Sequence, residues 1–177
     1  MPKYVAFLRA INVGGHTVKM DELRSMFVDM GFANVETFIA SGNVIFDSKS
    51  KSVETLEKKI EKYLHAKLEY EVIAFVRSID ELAQIAAYKP FEVKTADGER
   101  VFIGFLSGKL PTAAVSKMEG SSTEGDVFHI KDRELFWLCR TRMSDSKFFG
   151  PLLEKTLGTR TTLRNSNTVN RIIAKYT

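Results

Sequence analysis

The segment Arg9-Ala10-Ile11-Asn12-Val13-Gly14-Gly15-His16 carries the residue types that a phosphate or carboxylate site needs. A short apolar run that reads as a strand precedes it, and a stretch with helical spacing follows. Backbone N–H groups of such a loop can converge at the positive end of a helix dipole. Arg9 can grip an oxyanion through two parallel N–H bonds, and Gly14 and Gly15 allow a ligand to approach the backbone closely. The competing explanation is local: the glycines supply turn geometry and Asn12 bonds within its own loop. The spacing fits neither GxGxxG nor GxxxxGK[ST], so no nucleotide-cofactor fingerprint is present and no cofactor is expected.

A second polar segment, Arg164-Asn165-Ser166-Asn167-Thr168, opens the last helical pattern, with Asn170-Arg171 in its first turns. Asn165 or Ser166 suits the capping position. Arg164 is less expected there, because a cation near a helix N-terminus opposes the dipole unless an anion joins it. Asn43, in the turn Ser41-Gly42-Asn43, is the remaining candidate; a tight turn by itself explains it. The ligand-binding candidates are therefore Arg9, Asn12, Gly14, Gly15, Asn43, Arg164, Asn165 and Thr168. His16, His65 and His129 are scattered without carboxylates at ligand spacing, so no metal site is expected. Cys139, beside Trp137 and Leu138, reads as an inert core thiol.

The elements that must position these residues follow from periodicity. Residues 3–8 alternate with both sets apolar, the pattern of a central strand buried on both faces. Met20, Leu23, Phe27 and Met30 recur at helical spacing. Strands are expected at 35–40 and 44–47, a helix carrying Val53, Leu56, Ile60 and Leu64 behind a Ser52 cap, and a strand at 71–77. Ser78-Ile79-Asp80-Glu81 opens a helix with Leu82 and Ile85. After a polar connection at 89–100 the order repeats: a strand at 101–106, a helix from Pro111 to Met118, and a hairpin of 127–130 with 135–139. A helix striped by Phe148, Phe149, Leu152 and Leu153 and ending at Gly158 comes next, then a short strand at 161–163. A final helix carries Val169, Ile172, Ile173 and Tyr176. Two successive β-α-β-β-α-β orders predict an α+β protein of two consecutive ferredoxin-like plaits, residues 1–78 and 79–177, packed into one rigid unit with an extra C-terminal helix.

Composition sets the class. The chain has 177 residues, 44% of them hydrophobic and 27% charged, which is globular and not disordered. One cysteine excludes a disulfide framework and any multi-thiolate metal site. The apolar runs are far too short to cross a membrane, and the N-terminus lacks a leader pattern, so a cytoplasmic protein without membrane association is expected. The net charge of +4 is unevenly spread: residues 131–177 hold ten basic and four acidic side chains. Such asymmetry can steer an anionic partner.

Phe7-Leu8-Arg9-Ala10-Ile11-Asn12-Val13-Gly14-Gly15, continuing through Val18-Lys19-Met20, Leu23-Arg24 and Ser41-Gly42-Asn43-Val44, resembles the signature of a widespread bacterial family, domain of unknown function 1697. Thr162, Arg164-Asn165 and Asn167-Thr168-Val169 extend the resemblance, with Ser166 standing where the family often has tryptophan. The resemblance spans nearly the whole chain and implies two α–β plaits. It implies no activity and no catalytic residues.

Three functions are weighed. The first is a binding module in which the Arg9 loop and the Arg164 segment meet at the junction of the plaits around an anionic small molecule or nucleic-acid phosphate. The second is a protein–protein interaction domain without a small ligand; plaits self-associate through their sheets, so a homo-oligomer belongs to this reading. The third is an acylphosphatase-like hydrolase, on the analogy of Arg9 and Asn43 with that family's arginine and asparagine. Here the arginine precedes the glycines instead of following them.

Overall fold

The computed structural model describes residues 1–177 apart from 13–14 and 40–41. Six elements form the first half: β1 (Lys3–Arg9), α1 (Met20–Asp29), β2 (Ala33–Thr37), β3 (Asn43–Asp47), α2 (Val53–Leu68) and β4 (Ile73–Ser78). After α3 (Ile79–Ala87) the pattern recurs as β5 (Arg100–Phe105), α4 (Thr112–Gly120), β6 (Asp126–Lys131), β7 (Glu134–Cys139), α5 (Pro151–Leu157) and β8 (Thr162–Asn165), and α6 (Ser166–Tyr176) closes the chain. The two four-stranded sheets have orders β2-β3-β1-β4 and β6-β7-β5-β8, antiparallel throughout. Each sheet therefore places its first and third strands centrally, the order of a ferredoxin-like plait. The fold is α+β with two such sheets and a C-terminal helix. By contacts the chain divides into Met1–Ala83 with Tyr176–Thr177, and Gln84–Lys175.

In the first unit, alternation along β1 sends Tyr4, Ala6 and Leu8 toward the helices, where they meet Leu23 and Phe27 of α1 and Leu56, Ile60 and Leu64 of α2. Val5 and Phe7, on the other face, are also fully buried, as the doubly apolar alternation predicts. α2 begins as expected, with the Ser52 hydroxyl accepting the Thr55 N–H at 3.2 Å. The Ser78 hydroxyl likewise accepts from the Glu81 N–H at 3.1 Å at the start of α3.

The second unit packs Met118 of α4 and Leu153 and Leu157 of α5 against Phe128, Leu135 and Trp137. Cys139 belongs to this cluster. Its Sγ donates to the Thr141 carbonyl at 3.1 Å, and burial pushes the thiol up from its ordinary value. A thiol-exchange reagent is therefore expected to leave the folded protein unmodified and to titrate one thiol per chain in denaturant; rapid reaction of the native chain would contradict this placement.

Two elements differ from the sequence reading. The helix read from Phe148 begins only at Pro151. Proline has no N–H and its ring blocks a preceding helical turn, so it starts a helix and cannot sit inside one. Gly150 turns the chain into it at φ 108°, and Phe148 packs edge-on against Phe128 at 4.7 Å from outside the helix. The second strand runs 33–37 instead of 35–40. A register irregularity between Ala33 and Glu36 lengthens its start, and Ile39, at φ 58°, has already left strand geometry. Ala40 and Ser41 lie outside the described residues.

Candidate binding cavity

The first predicted loop is tied down by its own residues. β1 ends at Arg9, in register with Ile73, and Ala10 turns the backbone at φ 67°. Ile11 is buried, and its carbonyl accepts the Tyr70 hydroxyl at 2.7 Å. The Tyr70 ring stacks on His16 at 4.0 Å, and burial pushes its phenol up. Asn12 is exposed but spends its side-chain oxygen on the Val18 N–H at 2.8 Å, a bond within the loop. Gly15 adopts φ 82°, a conformation glycine reaches without strain. Arg9 is half-buried. Gly14 lies outside the described residues.

Asn43 is fully buried at the start of β3. Its amide donates to the Phe38 carbonyl at 2.9 Å, while its own carbonyl accepts the Phe38 N–H at 2.9 Å. These bonds close the β2–β3 hairpin. Gly42 beside it sits at φ 78°, and a Cβ there would lie 3.0 Å from the Ile11 side chain. The hairpin tip thus presses directly against the loop that follows β1, with the Leu8 N–H donating to the Gly42 carbonyl at 2.9 Å.

The second predicted segment lies in the other unit, at the direct junction of β8 and α6. Arg164 is a strand residue paired with Ile103, not a cation hanging at the helix end. It is buried, and its guanidinium donates to the Thr162 hydroxyl at 2.8 Å and the Leu163 carbonyl at 2.9 Å. Burial lowers its pKa to about 10. Asn165 caps α6, its oxygen accepting the Asn167 N–H at 2.9 Å. Thr168 is half-buried in the first turn. Arg164, Asn165 and Thr168 therefore share one junction, while Arg9, Asn12, Gly15 and Asn43 belong to the first unit.

Asn165 also borders a cavity of about 370 Å³ contained in the second unit. Its floor is the sheet face turned away from α4 and α5, where Ile103 and Phe136 are adjacent across β5 and β7. Ile85 and Phe91 add apolar wall. Polar residues complete the lining: Lys89, Glu99, Arg100, Ser166, Asn167 and Asn170. Lys89 is exposed and makes no ion pair among the described residues. Arg100 is in register with Cys139 and alternates with Ile103, so its side chain leaves the strand on the face of α4 and α5. Glu99 pairs with Arg140 at 3.4 Å and accepts the Lys94 N–H at 2.8 Å.

Tyr88, another wall residue, is held in place from outside the cavity. Its hydroxyl lies 2.7 Å from His129 Nε2, and the other ring nitrogen lies 3.1 Å from the Glu119 carboxylate. His129 thus bridges the Tyr88 hydroxyl and the Glu119 carboxylate. Glu119 also accepts the Ile130 N–H at 3.0 Å, satisfying a backbone donor of β6 at the sheet edge. Lys131 sits over the Tyr88 ring at 3.9 Å. Among the described residues no cluster of three or more metal-ligating side chains occurs, and no helix is long and apolar enough to cross a membrane.

Lys89, Arg100 and Tyr88 were not singled out in the sequence, and His129 was weighed only as a metal ligand. Lys89 and Arg100 bound the stretch that reads there only as a polar connection. What joins them is the return of that stretch over the sheet floor, which no local pattern encodes. Asn170 was visible as a residue of the first helical turns.

The comparisons agree with this architecture. A family model described as "Protein of unknown function (DUF1697)" matches residues 1–136. A solved structure, that of the conserved bacterial protein SP0830 from Streptococcus pneumoniae, is similar over 99% of this chain and 98% of that one, with a TM-score of 0.76 and 26% identity. No curated protein matches.

Proposed function

We propose, for a chain that belongs to the DUF1697 family of proteins of unknown function, that its second unit is a cytoplasmic binding module for an anionic ligand, a nucleotide or a nucleic-acid phosphate. The observation that supports this reading is a cavity of about 370 Å³ whose lining brings Lys89, without an ion-pair partner among the described residues, together with Ser166, Asn167 and Asn170 of α6. That volume lies in the range of small-molecule sites, which combine apolar lining with a few convergent polar groups. A lysine ammonium suits an oxyanion as a compact point charge with three donors. The start of α6 adds a favourable partial charge beside Ser166 and Asn167.

The test is a titration of the full chain with inorganic pyrophosphate, followed by backbone amide chemical shifts. Saturable shifts at Arg100, Ser166 and Asn170 are expected, weakening as salt is raised. Lys89→Gln should weaken binding by roughly tenfold, because a charge-assisted bond contributes about 1.5–3 kcal/mol. Absence of saturable shifts, or indifference to Lys89→Gln, overturns the reading.

A further inference from the structure

We infer that the outer edge of β2, in the first unit, is a self-association surface that takes the β2 strand of a second copy of this chain. An edge strand exposes every second backbone N–H and C=O, and proteins cover such groups against unwanted pairing. The two sheets have four edges, β2, β4, β6 and β8, and three of them carry covering side chains. On β4 the Ala74 and Val76 N–H groups donate to Glu61 and Glu57 of α2 at 3.3 and 2.9 Å, and the Val76 carbonyl accepts from the Arg77 guanidinium at 2.9 Å. On β6 the Asp126, Phe128 and Ile130 N–H groups donate to Thr123, Ser122 and Glu119 at 3.1, 3.0 and 3.0 Å. Beside β8 the Thr161 N–H donates to Glu154 at 3.2 Å, and the Leu163 carbonyl accepts from the Arg164 guanidinium at 2.9 Å.

The β2 edge carries no such cover. The Phe38 N–H donates to the Asn43 carbonyl, so Phe38 faces β3 and, by alternation, the Thr37 N–H and C=O point out of the sheet. Val35 lies two residues earlier on the same side. Neither residue has a partner for these groups among the described residues. Asn34 and Glu36 are exposed, so solvent reaches this edge.

The occupant follows from the symmetry of the edge. Two β2 strands running antiparallel about a two-fold axis offer each other the same donors and acceptors, an isologous contact that closes at two copies. The straight part of β2 is short, because Asn34 at φ 49° and Ile39 at φ 58° leave strand geometry on either side. Pairing is therefore centred on Glu36, with Val35 of each copy opposite Thr37 of the other. The two-fold also sets the end of one β2 beside the start of the other, where α1 of the second copy packs over its own β2. Val28, in the last turn of α1, is 53% exposed, and Ile39, two residues past β2, is 43% exposed. Each copy thus supplies both halves of an apolar contact, Ile39 to Val28 of the second copy. Glu36 limits the strength: on the axis the two carboxylates face each other, and like charges directly opposite oppose pairing. Association is weak while both are ionised.

Sedimentation velocity of the full chain, from micromolar to millimolar concentration, tests this, with far-ultraviolet circular dichroism to check that each variant folds. A monomer–dimer equilibrium is expected for the native sequence. Glu36→Gln is expected to tighten it severalfold; glutamine still offers an acceptor where Glu36 meets the Tyr176 hydroxyl. Ile39→Lys, at an exposed position, is expected to weaken it severalfold. Thr37→Pro removes only an outward N–H and is expected to give a monomer throughout. Hydrogen exchange of the Val35 and Thr37 amides should slow as the native chain is concentrated. A native chain and a Glu36→Gln variant that both stay monomeric at millimolar concentration overturn the proposal. So does a dimer that is indifferent to Ile39→Lys and leaves Thr37 exchange unchanged, because it forms elsewhere on the molecule.

Discussion

Replacing Trp137 by alanine is expected to destabilise the second unit by about 3–5 kcal/mol, the range for losing a buried aromatic side chain. Trp137 is fully buried in β7. Its ring meets Phe128 at 5.5 Å and Phe102 at 6.1 Å, and Phe128 carries the contact on to Phe148. The indole also has a polar task. Its Nε1 donates to Asp126 Oδ1 at 3.0 Å, while Asp126 Oδ2 accepts the Ser146 hydroxyl at 3.0 Å. Asp126 is itself buried, so truncation leaves a carboxylate oxygen without its donor in a site that water reaches poorly. Trp137→Phe keeps most of the ring contact and loses the donor; a cost of about 1–3 kcal/mol is expected. Urea unfolding followed by far-ultraviolet circular dichroism measures both, since the chain has one tryptophan and fluorescence disappears with it. A loss below about 1 kcal/mol for the alanine variant would contradict the role of this contact network.

Most of the plait architecture was legible because it is written in local periodicity. Tyr4, Ala6 and Leu8 against Val5 and Phe7 announced a strand buried on both faces, and β1 is central in its sheet. Ser52 and Ser78 announced helix starts that their hydroxyls cap. Where periodicity misled, a backbone constraint was competing with it. Phe148 and Phe149 fit the stripe of the following helix, but Pro151 forbids a helical turn before it. Tertiary fit leaves no such trace. At Gly104 in β5 a Cβ would lie 2.8 Å from the Thr161 hydroxyl, which donates to the Phe105 carbonyl at 2.9 Å. The short β8 can lie beside β5 at this point because no side chain intervenes.

The candidate site was legible at one edge only. Asn165 stood out as a capping type and does cap α6, and the same residue borders the cavity. Arg164 stood out as a misplaced cation, but the misplacement dissolves once the strand is seen to run straight into the helix. Its charge is satisfied inside the sheet by Thr162 and a backbone carbonyl. The cation of the cavity lining that belongs to no regular element, Lys89, opens an irregular segment. Sequence patterns report faces of regular elements, and an irregular segment has no period from which a face can be read. Polar types in the Arg9 loop also act within the loop. Asn12 and Tyr70 hold that loop's shape through bonds to Val18 and Ile11.

Phe46→Ala is expected to cost the first unit about 3–5 kcal/mol. Phe46 is the fourth residue of β3, as Trp137 is the fourth of β7, and these are corresponding strands of the two plaits. It is fully buried, pairs in register with Tyr4, and sits among the rings of Tyr4, Phe27 and Phe32 at 5.8, 5.6 and 4.4 Å. Two other elements, β1 and α1, and the turn after α1 therefore meet on one side chain. Alanine would leave a cavity that those neighbours, each fixed to a different backbone segment, cannot all move to fill. The ring makes only apolar contacts, so no polar group is orphaned, and the loss should scale with the volume removed. Phe46→Leu should accordingly recover more than half of the stability lost by alanine. Trp137→Phe differs: it keeps most of the ring, and the missing donor adds to the cost of the lost volume. Urea midpoints of the Phe46 pair test this directly. A leucine variant no more stable than the alanine variant would show that ring stacking, and not filled volume, holds the two helices to this sheet.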